Sequence, residues 1–205
     1  MACSFKHERA LWKSGIEFVA GIDEAGRGPL AGPVVAACVI LPQKFRHKTL
    51  TDSKQLSESQ RAEIYTELTA NPHVCWAAAV VEHDEIDRIN ILRATHEAMR
   101  RAARALATAP QHALIDGLPV RPFPIPHTAI VKGDAQSLSI AAASVIAKVT
   151  RDRIMIEMDA RHPEYGFAQH KGYGTALHNE RLRTHGPSPI HRKTFLPVAQ
   201  MLLAI

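Results

Sequence analysis

Residues 18 to 22, FVAGI, and 33 to 41, PVVAACVIL, are apolar runs of strand length separated by the Gly/Pro punctuation GRGPLAG, and they predict two adjacent strands. Pro33 is tolerated as the first residue of its strand, where no ladder bond is lost. Residues 42 to 56 are polar and predict a loop. A helix follows from Ser57, which has capping-box spacing to Gln60, while Ile64 and Leu68 supply one apolar side. VCWAAAVV at 74 to 81 predicts a third strand. Asp84 then caps a longer helix in which Ile86, Ile89, Leu92, Met99 and Leu106 recur on one face, with Arg93, Arg100, Arg101 and Arg104 on the others. HALID at 112 to 116 predicts a short buried strand ending on a carboxylate, and PVRPFPIP an extended loop. TAIVK at 128 to 132 predicts a fifth strand, and an Ala-rich helix runs from about Ser137 to Arg161. The tail carries HKGYGT, HGPSPIHRK and a last helical stretch, FLPVAQMLLAI.

This order predicts an α/β fold: a mixed five-stranded sheet flanked by helices, with a C-terminal helical extension. Early hairpin connections make one part antiparallel, and later crossover helices make the other parallel. No repeat or linker divides the chain, so residues 1 to 205 read as one domain with a basic helical region at about 162 to 205. The composition, 46% apolar and 22% charged with 11 Gly, excludes disordered and collagen-like classes. No run of eighteen apolar residues occurs, and the start MACSFKHERALWKSGIEF has charges where a signal peptide has an apolar core, so no membrane association is expected and a cytoplasmic location is. Cys3, Cys38 and Cys75 form no CxxC pair and read as reduced thiols, with Cys38 and Cys75 inside strands.

Charge is unevenly spread. Residues 1 to 120 hold 14 basic and 14 acidic residues and residues 121 to 205 hold 11 and 6, so the whole excess of +5 lies after residue 120. A polyanion is a natural partner for such a surface.

Against that basic background, Asp23 and Glu24 directly follow an apolar strand, Asp116 ends another, and Asp134 sits just after a third. Strand ends converge at one edge of an open sheet, where such folds place ligands. Like charges gathered there raise one another's pKa and oppose folding unless a cation sits among them. All four are oxygen donors, which suit Mg²⁺ or Mn²⁺ rather than zinc. Two such ions roughly 3.5–4 Å apart activate a water and stabilise the leaving oxygen of a phosphodiester. Consecutive strand residues point to opposite faces, so Asp23 and Glu24 share a metal only if the strand has ended or Glu24 also uses its carbonyl.

GRGPLAG is not a dinucleotide fingerprint: its spacing is GxGxxxG, Pro29 interrupts it, and a strand rather than a helix follows. No GxxxxGK[ST], HExxH or GxSxG motif occurs, which removes the commonest ATPase, zinc-protease and serine-hydrolase readings. Gly26 and Gly28 let backbone approach a ligand closely, with Arg27 available to a phosphate; the alternative is a plain turn.

Taken together, GIDEAGRGPLAGPVVAACVIL, TDSKQLSE, ALIDGL, KGDAQSLSIAAASVIAKVTRD and HKGYGT resemble ribonuclease HII, the bacterial type 2 ribonuclease H, in that family's order and from about residue 8 to 198. No extra N-terminal domain of the kind carried by type 3 enzymes precedes the first motif, which favours type 2. The resemblance implies a ribonuclease H-like fold and metal-dependent endonucleolytic cleavage of RNA in RNA–DNA hybrids. It also implies cutting on the 5′ side of ribonucleotides embedded in duplex DNA, leaving 3′-hydroxyl and 5′-phosphate ends, a chemistry that belongs to ribonucleotide excision repair and DNA replication. By resemblance Asp23, Glu24, Asp116 and Asp134 are catalytic and hold two Mg²⁺ or Mn²⁺ ions. Gly26, Arg27 and Gly28 read the 2′-hydroxyl through backbone groups, consistent with the 2′-OH being what separates RNA from DNA. Tyr173 stacks on the neighbouring sugar, and Ser53 and Lys54 lie near a substrate phosphate. Lys148 and Arg151 extend the same basic path.

Two other classes compete: a non-catalytic nucleic-acid-binding module, which gains nothing from four acids in its groove, and a different metal-dependent nuclease of the same superfold. The tail QMLLAI, residues 200 to 205, resembles a sliding-clamp-binding peptide, the alternative being the last apolar turn of a helix packed on the core. The twelve His residues fall in no ligand spacing and receive no catalytic role, and a monomer is expected.

Overall fold

Five strands, β1 (Val19–Ala25), β2 (Val34–Ile40), β3 (Cys75–Val81), β4 (His112–Asp116) and β5 (His127–Ile130), lie in the order β3-β2-β1-β4-β5 in the computed structural model, which describes residues 3–203. β3, β2 and β1 pair antiparallel, and β1, β4 and β5 parallel, giving the mixed sheet that the connections predict.

Side-chain alternation divides the core. Ala20, Ile22, Val34, Ala36 and Cys38 pack on α4 (Ile91–Ala105) through Ala94, Ala98, Met99 and Ala102. Ala37 and Val39 face the other way, onto α5 (Leu138–Arg161) and, through Ile64 and Leu68, α2 (Glu58–Ala70). β2 is therefore buried on both faces, which is why its sequence is continuously apolar rather than alternating. Gly21 sets how closely α5 approaches: a Cβ there would lie 2.0 Å from the Ser139 carbonyl carbon and 2.3 Å from Ile140 N. The first turn of α5 thus rests directly on β1, beside the strand end that carries Asp23.

Both halves of the capping box form: Ser57 N donates to Gln60 Oε1 (2.8 Å) and Gln60 N to Ser57 Oγ (3.2 Å). Ser137 likewise caps α5 through Ile140 N. Elsewhere the structure departs from expectation. β1 does not stop at Ile22 but runs through Asp23 and Glu24 to Ala25. The long helix expected from Asp84 is two, α3 (His83–Ile89) and α4, because Asn90 adopts φ 68° and its side chain caps α4 by accepting from Arg93 N (3.0 Å); the residue preceding α3 is Glu82, and Asp84 lies in its first turn. β5 ends at Ile130, as Lys132 turns left-handed at φ 56°.

Helix α1 (Lys6–Lys13) is new, and its buried Glu8 reaches across the fold to accept from Ser137 Oγ (2.6 Å) and Ser139 N (3.0 Å) at the start of α5. Also new are α6 (Phe167–His170) and α7 (Ala176–His185), which precede α8 (Leu196–Leu203). The three cysteines are free, with Cys38 buried in β2 and Cys75 half-buried in β3. Among the described residues no helix is long and apolar enough to cross a membrane.

Candidate active site

Register decides where each acid points. Asp23 pairs with Ala37 and shares its α5-facing side, whereas Glu24 pairs with Ala36 on the α4-facing side. Asp116 follows Leu114 by two residues on β4 and faces the way Asp23 does. Asp134 comes from a 3₁₀ turn, Gly133–Ala135, that leads into α5. One carboxylate oxygen from each of Asp23, Asp116 and Asp134 lies within 4.8 Å of the others. Gly133 N donates to Asp116 Oδ1 (2.6 Å), fixing that carboxylate against the turn. Glu24 stands outside this trio. Its strand has not ended, and its Oε1 accepts from Arg27 Nη1 at 3.2 Å.

The electrostatics are those of a cation site. Burial, then the charges of Glu24 and Asp116, push Asp23 well above the ordinary carboxylate range despite the Ser144 hydroxyl beside it. Burial raises Glu24 too, with Arg27 opposing, and burial with Asp116 and Asp52 raises Asp134. Lys54 Nζ reaches the edge of the cluster, 3.3 Å from Asp134 Oδ2 and 3.7 Å from Asp52 Oδ1. Burial works against its charge, but Asp134, Asp52 and Asp23 outweigh it and its pKa rises. The exposed Lys54 ammonium and the Arg27 guanidinium on Glu24 do not balance four acids. Hard oxygen donors this close, costly to hold ionised without a counter-charge, fit a divalent cation.

A cavity of about 340 Å³ opens over the acids, lined by Asp23, Glu24, Asp116, Lys54, Lys148 and Tyr173 together with residues 25 to 28, Ser53 and Ser144. Ser53 is buried and its hydroxyl meets that of Ser144 at 2.9 Å, so it braces the wall beside Asp23. Tyr173 is 43% exposed at the rim, with Lys148 Nζ 5.7 Å and Arg151 Cζ 5.8 Å from its ring centroid, and a Cβ on Gly28 would lie 3.8 Å from its Cε1. Gly26 takes φ +98°, and a side chain there would strike Arg151 Nε at 2.1 Å. Lys148 is half tied to Asp152 Oδ1 (2.8 Å).

Arg151 is not on the surface path expected of it. It is fully buried beneath the glycine loop, as is Arg192, a residue that sequence reasoning passed over. The signal for both was faint: an arginine flanked by apolar helix positions and one in the tail's PIHRK.

A mixed sheet of this order with carboxylates gathered at the adjoining ends of β1 and β4, beside a turn leading into the longest helix, defines a metal-dependent nuclease of the ribonuclease H-like class. The ribonuclease HII family model matches residues 20–198, and the chain belongs to that family. It is 51% identical to the ribonuclease HII of Bacillus cereus (strain B4264) over 197 residues, 96% of this chain and 76% of that protein. Among solved structures it is similar to ribonuclease H2 from Pyrococcus horikoshii OT3, with TM-score 0.75 and 29% identity over 91% of this chain and 97% of that one. It is also similar to ribonuclease HII from Archaeoglobus fulgidus, solved in complex with PCNA, with TM-score 0.72 and 26% identity over 87% and 95% of the two chains.

Proposed function

We propose that this chain is an endoribonuclease that cleaves the RNA strand of RNA–DNA hybrids and cuts on the 5′ side of ribonucleotides embedded in duplex DNA, leaving 3′-hydroxyl and 5′-phosphate ends. The observation that carries the reading is the meeting of Asp23, Asp116 and Asp134 within 4.8 Å, under a cavity walled on one side by a glycine loop and an exposed tyrosine.

Asp23, Glu24, Asp116 and Asp134 would hold two divalent ions, Mg²⁺ or Mn²⁺, with Glu24 approaching from the opposite side of β1. Bound there, the ions supply activation of the attacking water and charge neutralisation for in-line displacement at phosphorus. The chain does the rest. Gly133 N donates to Asp116 and Glu24 N to Asp23 (2.8 Å), orienting both carboxylates before substrate arrives. Lys54, held at the rim by Asp134 and Asp52, lies near the incoming phosphate, and Ser53 supports that wall. The backbone N–H groups of Arg27 and Gly28 have no protein acceptor among the described residues, so they remain for the ribose. A 2′-hydroxyl can pair with backbone donors where deoxyribose offers nothing. Tyr173 supplies an apolar face for the adjoining sugar, with two cations behind its ring.

An end-labelled DNA duplex carrying one ribonucleotide, tested with Mg²⁺ or Mn²⁺ beside an all-DNA duplex and an Asp23→Asn protein, is expected to show one cut 5′ of the ribonucleotide and none in either control. Activity confined to a long hybrid would remove the junction-reading role of Tyr173 and the loop. No cleavage of either substrate would leave a binding module.

A sliding clamp is a second partner under this reading, favoured by the relative solved with PCNA. In the tail, Gln200 to Leu203 belong to α8, with Leu203 exposed and Val198 packed inward; Ala204 and Ile205 lie outside the described residues. Deleting residues 200 to 205 is expected to abolish clamp pull-down while the protein still melts cooperatively. Retained pull-down would leave the segment as the end of a packed helix.

A further inference from the structure

Two buried arginines that the chemistry above does not use hold the segment from Gly26 to Pro33. All five N–H donors of Arg192 go to backbone carbonyls of that one segment. Nε donates to Gly32 (2.9 Å), Nη1 to Arg27 (3.0 Å) and Pro29 (2.8 Å), and Nη2 to Gly26 (2.6 Å) and Pro33 (3.1 Å). Arg151 approaches from α5: its Nε donates to Pro33 (3.0 Å), Nη2 to Ala31 (3.2 Å) and Nη1 to the Lys171 carbonyl (2.9 Å). Arg192 N takes the Leu30 carbonyl at 2.8 Å. Of the eight carbonyls from 26 to 33, only that of Gly28 is left without a protein donor among the described residues.

The peptide unit turns this into an aiming device. A trans peptide is planar, so a carbonyl held inward throws the next residue's N–H outward. Arg192 Nη2 on the Gly26 carbonyl aims Arg27 N–H, and Nη1 on the Arg27 carbonyl aims Gly28 N–H. Neither of these two donors has a protein acceptor among the described residues. Neither arginine forms an ion pair with a carboxylate among the described residues. Burying an unpaired guanidinium is costly, and its retention calls for more than filling space. Burial, with Arg151 close by, pushes Arg192 down to about 9, which still leaves it charged at neutral pH.

We propose that Arg192 is a positioning residue for substrate selection, holding the Arg27 and Gly28 amides in the orientation that reads the ribose, with Arg151 bracing the other flank of the loop beneath Tyr173. The assignment rests on the proposed reading of the glycine loop as the ribose-sensing element. Lysine at 192 keeps the charge but has three donors on one atom and cannot span five carbonyls.

The test compares wild type, Arg192→Lys and Gly28→Ala on the duplex with one ribonucleotide in Mg²⁺, using an all-DNA duplex as competitive inhibitor so that its Ki reports phosphate contacts alone. Arg192→Lys is expected to lower kcat at least tenfold, with Ki within twofold of wild type and melting still cooperative. A folded Arg192→Lys protein with unchanged kcat, or one whose kcat and Ki worsen together, would overturn the proposal, since a merely structural role predicts no split between them. If Gly28→Ala leaves kcat unchanged, the reading of the loop itself fails and the role of Arg192 goes with it. Should Arg192→Lys not fold, Arg151→Lys carries the test: a threefold or larger drop in kcat at unchanged Ki supports the proposal, and an unchanged kcat overturns it.

Discussion

His178 Nε2 lies 3.0 Å from His191 Nε2 in the buried C-terminal region, and the surrounding bonds fix which ring holds the proton between them. Ser188 N donates to His191 Nδ1 (2.9 Å), so His191 carries its proton on Nε2 and donates to His178, whose Nδ1–H goes to the Tyr173 carbonyl (2.9 Å). Both rings are neutral. Burial, then the neighbouring histidines, pushes His178 down to about 4 and His191 to about 3. Below the unfolded value near 6.5 the unfolded chain takes up protons that the folded one refuses. The stability from this pair is thus complete above pH 6.5 and drains away as pH falls toward 4. Unfolding free energies from denaturant titration should drop between pH 7.5 and 5 by about 1–2 kcal/mol per histidine. A His191→Gln protein should start less stable but show a shallower slope; equal slopes would remove these rings as the cause.

The two ends of the glycine series should behave oppositely. Gly21→Ala meets the backbone of Ser139 and Ile140, which cannot turn aside, and should cost about 1–3 kcal/mol in urea unfolding. Gly28→Ala gains only ordinary contact with Tyr173, so its urea midpoint should stay near that of wild type while cleavage at a single ribonucleotide falls. Equal destabilisation of the two would contradict the packing described at β1.

Divalent cations should stabilise the folded protein. A ligand bound only by the native state adds about 2.7 kcal/mol at a hundred times its Kd. Titrating Mg²⁺ or Mn²⁺ into chelated protein should therefore raise Tm, and Asp23→Asn should blunt the rise. Because it also relieves crowding of like charge, Asp23→Asn in chelator should melt no lower than wild type. A metal response untouched by that substitution would place the ion elsewhere.

Substrate affinity should fall with salt at about −0.9 in log–log slope per phosphate neutralised. Arg27, with 53% of its side chain exposed beside the acids, is one such contact, and Arg27→Ala should flatten the slope by about one. An unchanged slope would leave Arg27 as the partner of Glu24 alone.

Much of this site is legible in the chain because its parts are local. β2 announces itself by seven consecutive buried residues, Ser57 and Gln60 by their spacing, and Asp116 by ending a strand. Asp23 and Glu24 were readable as chemistry but not as geometry, since only the continuation of β1 to Ala25 shows them parted across the sheet. The break at Asn90 hides because apolar periodicity continues on both sides of one left-handed residue. α1, α6 and α7 are short, and α1 is fixed by Glu8 reaching residues about 130 positions away. The buried arginines are least legible: a charged residue is written as surface until the carbonyls that solvate it are brought to it by the fold.

The contacts of Arg192 with the loop span 159 to 166 positions of sequence, which gives the molecule an order of completion during synthesis. Asp23, Asp116 and Asp134 have all been made, and strands β1 to β5 can pair, well before Arg192 leaves the ribosome. A growing chain therefore owns its acids early, and Arg151 can claim the Ala31 and Pro33 carbonyls, while those of residues 26, 27, 29, 30 and 32 wait unclaimed until the C-terminal stretch arrives. The reactive half of the site and its discriminating half become finished objects at different times, and the discriminating half comes last.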